Sequence, residues 1–485
     1  MKQAVLTMAL MTVLAAGARS FEVSVWRGET AAFALDERAE IKAPEGLGLR
    51  LGTAKEVKYI SKPGGRHYQS ALDKVVWGDT KGPHFWAEVT VPVEAKPGVY
   101  DMGMYKIRVV DRVLPPPRDW KYFLDLWQHP WAVSRYFGVK PFSPEHYAKM
   151  KPLWELLASA GQKALTVTLL EQPWDHQCHD AYRSMIGRTR LKDGTWKFDY
   201  SLFDEYVAFG RSCGIGPDIA CYTMCPWGYV VRWTDENGSL QSRSAKPGEP
   251  FFEEYWGAFL VDFKRHLEEK GWFADTCIAM DERGPDDLKA ICELIQKKAP
   301  GMKTSMAGNR KPSDFKGLVF NNYSQSLGHA NKDFLENEVP LRRSQGHKTT
   351  FYVCCGPDYP NTFLSSEVDE AFWLGAYPAF AGLDGFLRWA WNSWPRDPDA
   401  DASFGWWKAG DTFFVYPDGS PSNRFLELRE GIIAAEKVRI LRESGKLDEK
   451  KFAETAALFN REEAMANKTE FWRLRQAVLS FVNAE

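Results

Sequence analysis

No cysteine occurs in the first hundred residues of this chain; all eight lie between positions 178 and 355. That distribution excludes a small scaffold held together by disulfides. Cys221 and Cys225 are four apart, but no second pair at zinc-ribbon spacing accompanies them, so no structural metal is expected. Cys221, Cys277, Cys354 and Cys355 fall in or beside strand-like runs, where cysteine is expected to act as a small buried hydrophobe rather than a catalytic thiol. Basic excess is missing too. Lys and Arg total 62 against 64 Asp and Glu, a formal charge of −2, which argues against a nucleic-acid partner because no basic excess exists to neutralise phosphates. Beyond the first twenty residues no apolar run reaches the ~20 residues needed to span a bilayer. There is no internal repeat and no low-complexity segment.

What is present is a large core and many rings. Hydrophobic residues make up 44% and charged residues 26%, the profile of a folded chain. The 485 residues predict two or three domains at about 100–200 residues each. Aromatics reach 14%, with 20 Trp. Flat apolar rings with polar edges suit sugar faces, and they also fill barrel cores, so composition does not choose. The amino terminus reads as a secretory signal over residues 1–20. Lys2 supplies the positive start, Ala4 to Ala16 a short apolar run, and Ala18-Arg19-Ser20 the small residues a signal peptidase inspects. The mature chain is expected to begin near Phe21 and to be exported, periplasmic or secreted, without a transmembrane segment.

Organisation changes at Leu114-Pro115-Pro116-Pro117-Arg118. Before it, alternating segments at Phe21 to Trp26, Leu49 to Leu51, His84 to Val93 and Tyr100 to Val110 predict a β-sandwich over 21–114, in a packing or positioning role. After it, strand-like and helix-like segments alternate, which predicts a parallel sheet. The strands are read at Tyr122 to Trp127, Leu165 to Leu170, Asp218 to Met224, Ala274 to Met280, Lys303 to Ala307, Leu318 to Tyr323, Thr349 to Cys355 and Gly385 to Trp391. Eight such units predict a (β/α)8 barrel over 118–409, with no long helix between the fifth and sixth strands. Residues 410–485 predict a strand and turn (Phe413 to Gly419) and then helices at Asn423 to Glu443, Asp448 to Asn460 and Lys468 to Val482, packed on the barrel.

Barrels carry their chemistry at the carboxyl ends of the strands. Placed there are Trp127 and His129 after strand one, Trp174 and Gln177 after strand two, and Tyr222 and Trp227 at the end of strand three. Asn322 and Tyr323 end strand six, and Trp389, Trp391 and Asn392 end strand eight. Rings, amides and an imidazole converging on one mouth describe a pocket for a hydroxyl-rich ring. Strand four ends in Asp281-Glu282, just before the helix start Gly284-Pro285-Asp286-Asp287. Adjacent carboxylates are poorly placed for the usual glycosidase pair, which flanks a sugar at about 5–5.5 Å or about 6.5–9.5 Å. An acid beside a neighbour that steers the substrate's own nucleophile fits better. The plainer alternatives are that Asp281 favours the following helix start, though Asp286 and Asp287 already supply that charge, and that the strand-end tryptophans only pack. Asp175, His176, His179 and Asp180 have metal-ligand types but no second cluster, so neither a metal nor any other cofactor is expected. Arg283 is expected to be an ion-pair partner.

At these residues the chain resembles glycoside hydrolase family 123. The likeness runs from LDLWQHPWAVSRY (Leu124 to Tyr136) and AGQKALTVTLLEQPW (Ala160 to Trp174) through YTMCPW (Tyr222 to Trp227) and MDER (Met280 to Arg283). It continues in GFLRWAWNSWPRDP (Gly385 to Pro398) and GDTFFVYPDG (Gly410 to Gly419). The family's Asp-Glu pair falls on Asp281 and Glu282. The resemblance implies an exo-acting retaining N-acetyl-β-galactosaminidase, with a glycan ending in a 2-acetamido sugar as its partner. Glu282 would be the general acid and then the base, and Asp281 would orient the acetamido group. Tyr323 is the expected holder of the acetamido oxygen. Two alternatives stand beside this reading. One is a β-glycosidase of another sugar, with Asp125, Glu171 or Asp175 as nucleophile; the other is a non-catalytic glycan-binding protein on the same fold.

Overall fold

The computed structural model describes residues 21–35, 41–60, 64–79, 81 and 84–484. The expected signal segment, residues 1–20, lies outside them. The amino-terminal region forms two sheets. Thr30–Leu35, Phe85–Thr90, Gly48–Ile60 and Tyr68–Trp77 pair antiparallel in that order, and Phe21–Arg27, Tyr105–Val113 and Gly98–Asp101 form the other. Val25, Phe33, Phe85, Val89 and Ile107 fill the space between them. The predicted strand Tyr100 to Val110 is in fact a hairpin, Gly98–Asp101 against Tyr105–Val113, turning at Met102 to Met104.

Eight parallel strands then form the barrel: Phe123–Leu126, Ala164–Thr168, Asp218–Tyr222, Thr276–Asp281, Lys303–Gly308, Asn322–Ser326, Lys348–Tyr352 and Gly385–Arg388. Neighbouring strands pair in chain order, and strand eight pairs back to strand one. The seam between strands one and two carries one backbone bond, from Lys163 N–H to the Leu124 carbonyl at 3.0 Å, and is otherwise closed by side chains. Buried Gln162 accepts from Leu126 N–H at 3.0 Å and donates to the Leu126 and Ala164 carbonyls at 3.2 and 2.7 Å. Gln128 accepts from Thr166 N–H at 2.9 Å. Amide side chains thus satisfy backbone groups that a buried seam would leave unpaired.

Helices Pro144–Ala158, Ser201–Ser212, Pro250–Lys270, Pro285–Lys298 and Val368–Ala381 cover the barrel. Between strands five and six there is only the single turn Pro312–Asp314, as the sequence predicts. Strand six itself is displaced. It begins at Asn322, near the end of the predicted run.

Helix Asn423–Glu443 lies so close to Val368–Ala381 that glycines meet. A Cβ on Gly431 would stand 2.2 Å from the Phe372 carbonyl, and one on Gly375 2.4 Å from that of Leu428. The same helix receives the Lys121 and Tyr122 N–H groups on Glu436. It also binds the sandwich through buried ion pairs, Arg424–Asp73 at 2.8 Å, Arg429–Glu88 at 2.7 Å and Lys437–Glu29 at 2.7 Å. Removing one partner from such a pair leaves a buried charge uncompensated, so the sandwich is held in a fixed place on the barrel. Among the described residues no helix is long and apolar enough to cross a membrane.

Candidate active site

Successive side chains along a strand point to opposite faces, so two adjacent carboxylates cannot both face one pocket on regular strand geometry. The chain resolves this at Glu282. Asp281 ends strand four in register with Ala307, Glu282 donates its N–H to the Ala307 carbonyl at 2.9 Å, and Glu282 then takes φ +40°. A non-glycine residue in that left-handed region costs about 1–3 kcal/mol, strain of the kind concentrated at functional sites. Its effect is to bring both carboxylates onto one cavity at the carboxyl end of the barrel, about 230 Å3 in volume.

Trp127, Trp174, Gln177, Trp227 and Trp389, all expected at the site, line this cavity. Trp127 and Trp174 stack at 4.8 Å, and Tyr222 supports both from beneath at 4.5 and 5.1 Å. Across the mouth Trp389 meets Trp407 edge-on at 5.4 Å. Trp389 is aimed by its Nε1–H bond to Asp411 at 2.9 Å, and Asp411 is held by fully buried Arg388 at 2.8 Å. Trp407 is fixed by its own N–H, which donates to the Gln177 carbonyl at 2.9 Å.

The electrostatics centre on the pair. Asp281 is enclosed by protein while still touching the cavity. Burial, and then the charge of Glu282, push its carboxyl up to about 7, while Arg283 and the indoles of Trp227 and Trp174 oppose the rise. Among the described residues the Trp174 N–H nevertheless completes no hydrogen bond of good geometry. Tyr352, the last residue of strand seven, donates its hydroxyl to Glu282 Oε1. Burial and the nearby Glu282 hold that phenol well above the ordinary tyrosine range.

Several expected contacts lie elsewhere. Asn322 and Tyr323 begin strand six instead of ending it. Asn322 therefore lines the small opening at the amino end of the barrel, with Asp125 and Lys348. The Tyr323 hydroxyl donates to the Arg310 carbonyl at 2.6 Å, among Phe315 and Phe320, so Tyr352 and not Tyr323 brings a phenol to the pair. His129 is buried. Its Nδ1 caps the helix Pro130–Phe137, its Nε2 meets the Asp180 carbonyl at 3.0 Å, and burial pulls it down to about 4. Asn392 clamps the His129 backbone at 2.8 and 3.1 Å, and Trp391 packs on Phe425 at 4.8 Å. These residues and Tyr222 form the layer behind the pocket wall.

Arg283 makes no ion pair among the described residues. It lies over the Trp227 ring at 4.4 Å and donates to the Cys225 carbonyl at 3.2 Å, bracing that wall. Cys354 and Cys355 do not behave as buried hydrophobes: both line the pocket, and Cys355 is exposed. Trp407, Tyr352 and the two cysteines escape the sequence reading. The one available signal was the Gly356-Pro357 break after the Cys354-Cys355 pair.

The alternative nucleophiles do not reach the pocket lining. Asp125 is enclosed near the amino end of the barrel, where burial pushes it up to about 7. Asp175 is 61% exposed beside His176. Glu171 lines a separate groove of about 970 Å3 under the strands Gly187–Arg190 and Val230–Asp235. That groove is larger, but the paired carboxylates and stacked rings mark the smaller pocket as the reactive one. Asp180 is engaged by Arg135 at 2.9 Å, and among the described residues no three metal-ligating side chains converge.

A barrel with an acidic pair at its strand ends and tryptophan walls defines a glycoside hydrolase. The family profile "Glycoside hydrolase 123, catalytic domain" matches residues 127–441. The chain therefore belongs to glycoside hydrolase family 123. In overall structure it is similar to a family 123 glycoside hydrolase from Clostridium perfringens studied for glycolipid glycan hydrolysis. The two share a TM-score of 0.82 at 24% identity, over 96% of this chain and 94% of that one. A β-galactosidase from the psychrophilic Marinomonas ef1 matches at TM-score 0.38 and 11% identity over 68% of this chain and 61% of that one, too distant to argue from. No curated protein matches the chain.

Proposed function

We propose that this glycoside hydrolase is an exo-acting, retaining enzyme that removes terminal β-linked N-acetylgalactosamine with the substrate's own 2-acetamido group as nucleophile. One observation carries the reading: Asp281 and Glu282 are adjacent on one wall, and among the described residues no third carboxylate lines the pocket. An enzyme with its own nucleophile needs a second carboxylate on the far side of the sugar. The pocket volume is below the range common for drug-sized ligands, which suits one terminal sugar residue.

In the proposed reaction the pair holds one proton, carried by Glu282 once the acetamido N–H has engaged Asp281, and Glu282 gives it to the glycosidic oxygen as the bond to the anomeric carbon breaks. Ionised Asp281 accepts a hydrogen bond from the acetamido N–H, turning the amide oxygen toward that carbon. It also stabilises the positive charge of the oxazolinium intermediate. Proximity replaces a protein nucleophile. Glu282, now a carboxylate, takes a proton from water, which opens the ring and restores the original configuration. Tyr352 positions Glu282 between these steps through the hydroxyl that Glu282 accepts. The galacto configuration rests on the family resemblance. The substrate is proposed to be glycan-derived and met after export. Chromogenic β-N-acetylgalactosaminide and β-N-acetylglucosaminide assayed side by side test the reading. Cleavage of the first alone is expected, and inertness toward both would overturn it.

A further inference from the structure

Two adjacent thiols stand in the wall of the sugar pocket, and the mechanism uses neither. Cys354 and Cys355 follow the end of strand seven, with their sulfurs 3.7 Å apart and Cys355 exposed. Asn361 holds the Cys354 carbonyl from its Nδ2 at 3.1 Å and the Pro357 carbonyl at 2.6 Å, fixing the loop that presents the pair. The tyrosine bonded to Glu282 lies two residues before Cys354.

We infer that Cys354 and Cys355 form a reversible redox modification site, closed to a vicinal disulfide by an external disulfide of the glutathione class, and that closure changes how the pocket holds its sugar. The chemistry balances with that oxidant. The Cys355 thiolate attacks one sulfur of the external disulfide and expels a thiolate, giving a mixed disulfide. Cys354 loses its proton to water and attacks the Cys355 sulfur, forming the Cys354–Cys355 bond and expelling the second thiolate. Two protein thiols are oxidised, and one disulfide is reduced to two thiols, which take up the released protons.

Three features favour this. The hydrogen bond from Cys354 brings the Cys355 thiol down to about 7, whereas Cys354 itself is held well above the thiol range. One sulfur is thus the ready nucleophile, and its neighbour is within reach to resolve the mixed disulfide. The Cα atoms of adjacent residues are about 3.8 Å apart, shorter than a relaxed disulfide prefers, so the closed form is readily reduced again. The charge of Glu282 acts on Cys355, so closure also removes a negative charge from beside the acid. The closed pair offers a neutral sulfur surface that loses no hydration shell when the sugar docks.

The sulfur chemistry is independent of the proposed function; its effect on sugar binding rests on that function. The full-length protein is equilibrated in glutathione buffers from reducing to oxidising, its free thiols are alkylated, and its peptides are weighed. Oxidation is expected to remove two hydrogens from the peptide carrying 354–355 and to spare the other six cysteines. It should also lower KM for the aryl N-acetylgalactosaminide about threefold or more, reversibly with dithiothreitol. Cys354→Ser and Cys355→Ser should each abolish that difference between buffers. A pair that remains two free thiols, or stops at a glutathione adduct, overturns the closure. Closure with unchanged KM overturns its role in the pocket, as does a response that survives in either variant. Should the protein hydrolyse no acetamido sugar, the peptide masses still decide the sulfur chemistry, and the function alone fails.

Discussion

Asp281→Asn should weaken the enzyme and strengthen the protein, with a pH dependence that identifies the cause. The carboxyl of Asp281 is moved from its ordinary 3.8 up to about 7, first by burial and then by Glu282. Because the folded state holds this proton more tightly than the unfolded chain, the contribution of Asp281 to stability is greatest below about pH 4. It falls as pH rises through the window from 3.8 to about 7 and stays reduced above it. At 1.36 kcal/mol per tenfold change in proton affinity, the full penalty is about 4 kcal/mol. An uncharged amide of the same shape avoids it. For 485 residues at about 2.1 cal/mol/K each, unfolding entropy is near 1 kcal/mol/K, so the variant should melt about 4 °C higher at about pH 8. Near pH 4, where both side chains are neutral, the difference should vanish. Turnover should fall about 100- to 1000-fold, because the amide no longer offers the charge that stabilises the intermediate. Scanning calorimetry at the two pH values and a chromogenic assay measure both effects. A variant no more stable at pH 8, or equally stabilised at pH 4, would refute the reasoning.

Glu282→Gln should retain the fold and lose orders of magnitude in kcat on natural linkages, with a much smaller loss on activated aryl leaving groups. Near-parental rates on poor leaving groups would remove Glu282 from the acid role. Tyr352→Phe deletes the hydroxyl that Glu282 accepts and should lower kcat about 10- to 100-fold while changing KM little; steady-state kinetics on one substrate decide it. Gly431→Ala forces a methyl to 2.2 Å from the Phe372 carbonyl, so the two helices must separate at a cost of about 1–3 kcal/mol. Denaturant unfolding should show that loss with kcat unchanged, since neither Gly431 nor Phe372 lines the pocket.

The barrel was legible because its strands are short apolar runs, each set off by turn residues. The acidic pair was legible because the run Ala274 to Met280 stops there, at a helix start. Strand six was misplaced because its true residues, Asn322-Tyr323-Ser324-Gln325-Ser326, are polar. They are satisfied inside the fold, as where Gln325 donates to the Gly308 carbonyl at 3.1 Å, and no hydrophobic pattern reveals such a strand. Strand seven erred the other way. Its apolar run continues through Val353 and the cysteines, whereas pairing stops at Tyr352, so a strand-end tyrosine looked like an interior one. Trp407 was hidden because a loop after the last barrel strand carries it back over the mouth, a contact fixed by its bond to Gln177. In the sandwich, Thr30–Leu35 was missed because it is apolar on both faces and gives no alternation.

The absence of a protein nucleophile is tested most directly by pairing two reagents on the parent enzyme. One is a thiazoline that mimics the cyclised acetamido sugar, and the other is the aryl β-galactoside with a hydroxyl at carbon two. Substrate assistance predicts inhibition by the thiazoline far tighter than by N-acetylgalactosamine itself, since enzymes bind reaction intermediates and transition states preferentially. It also predicts that the 2-hydroxy galactoside is nearly inert. Efficient hydrolysis of that galactoside, with indifference to the thiazoline, would contradict it and require a second carboxylate in the reaction.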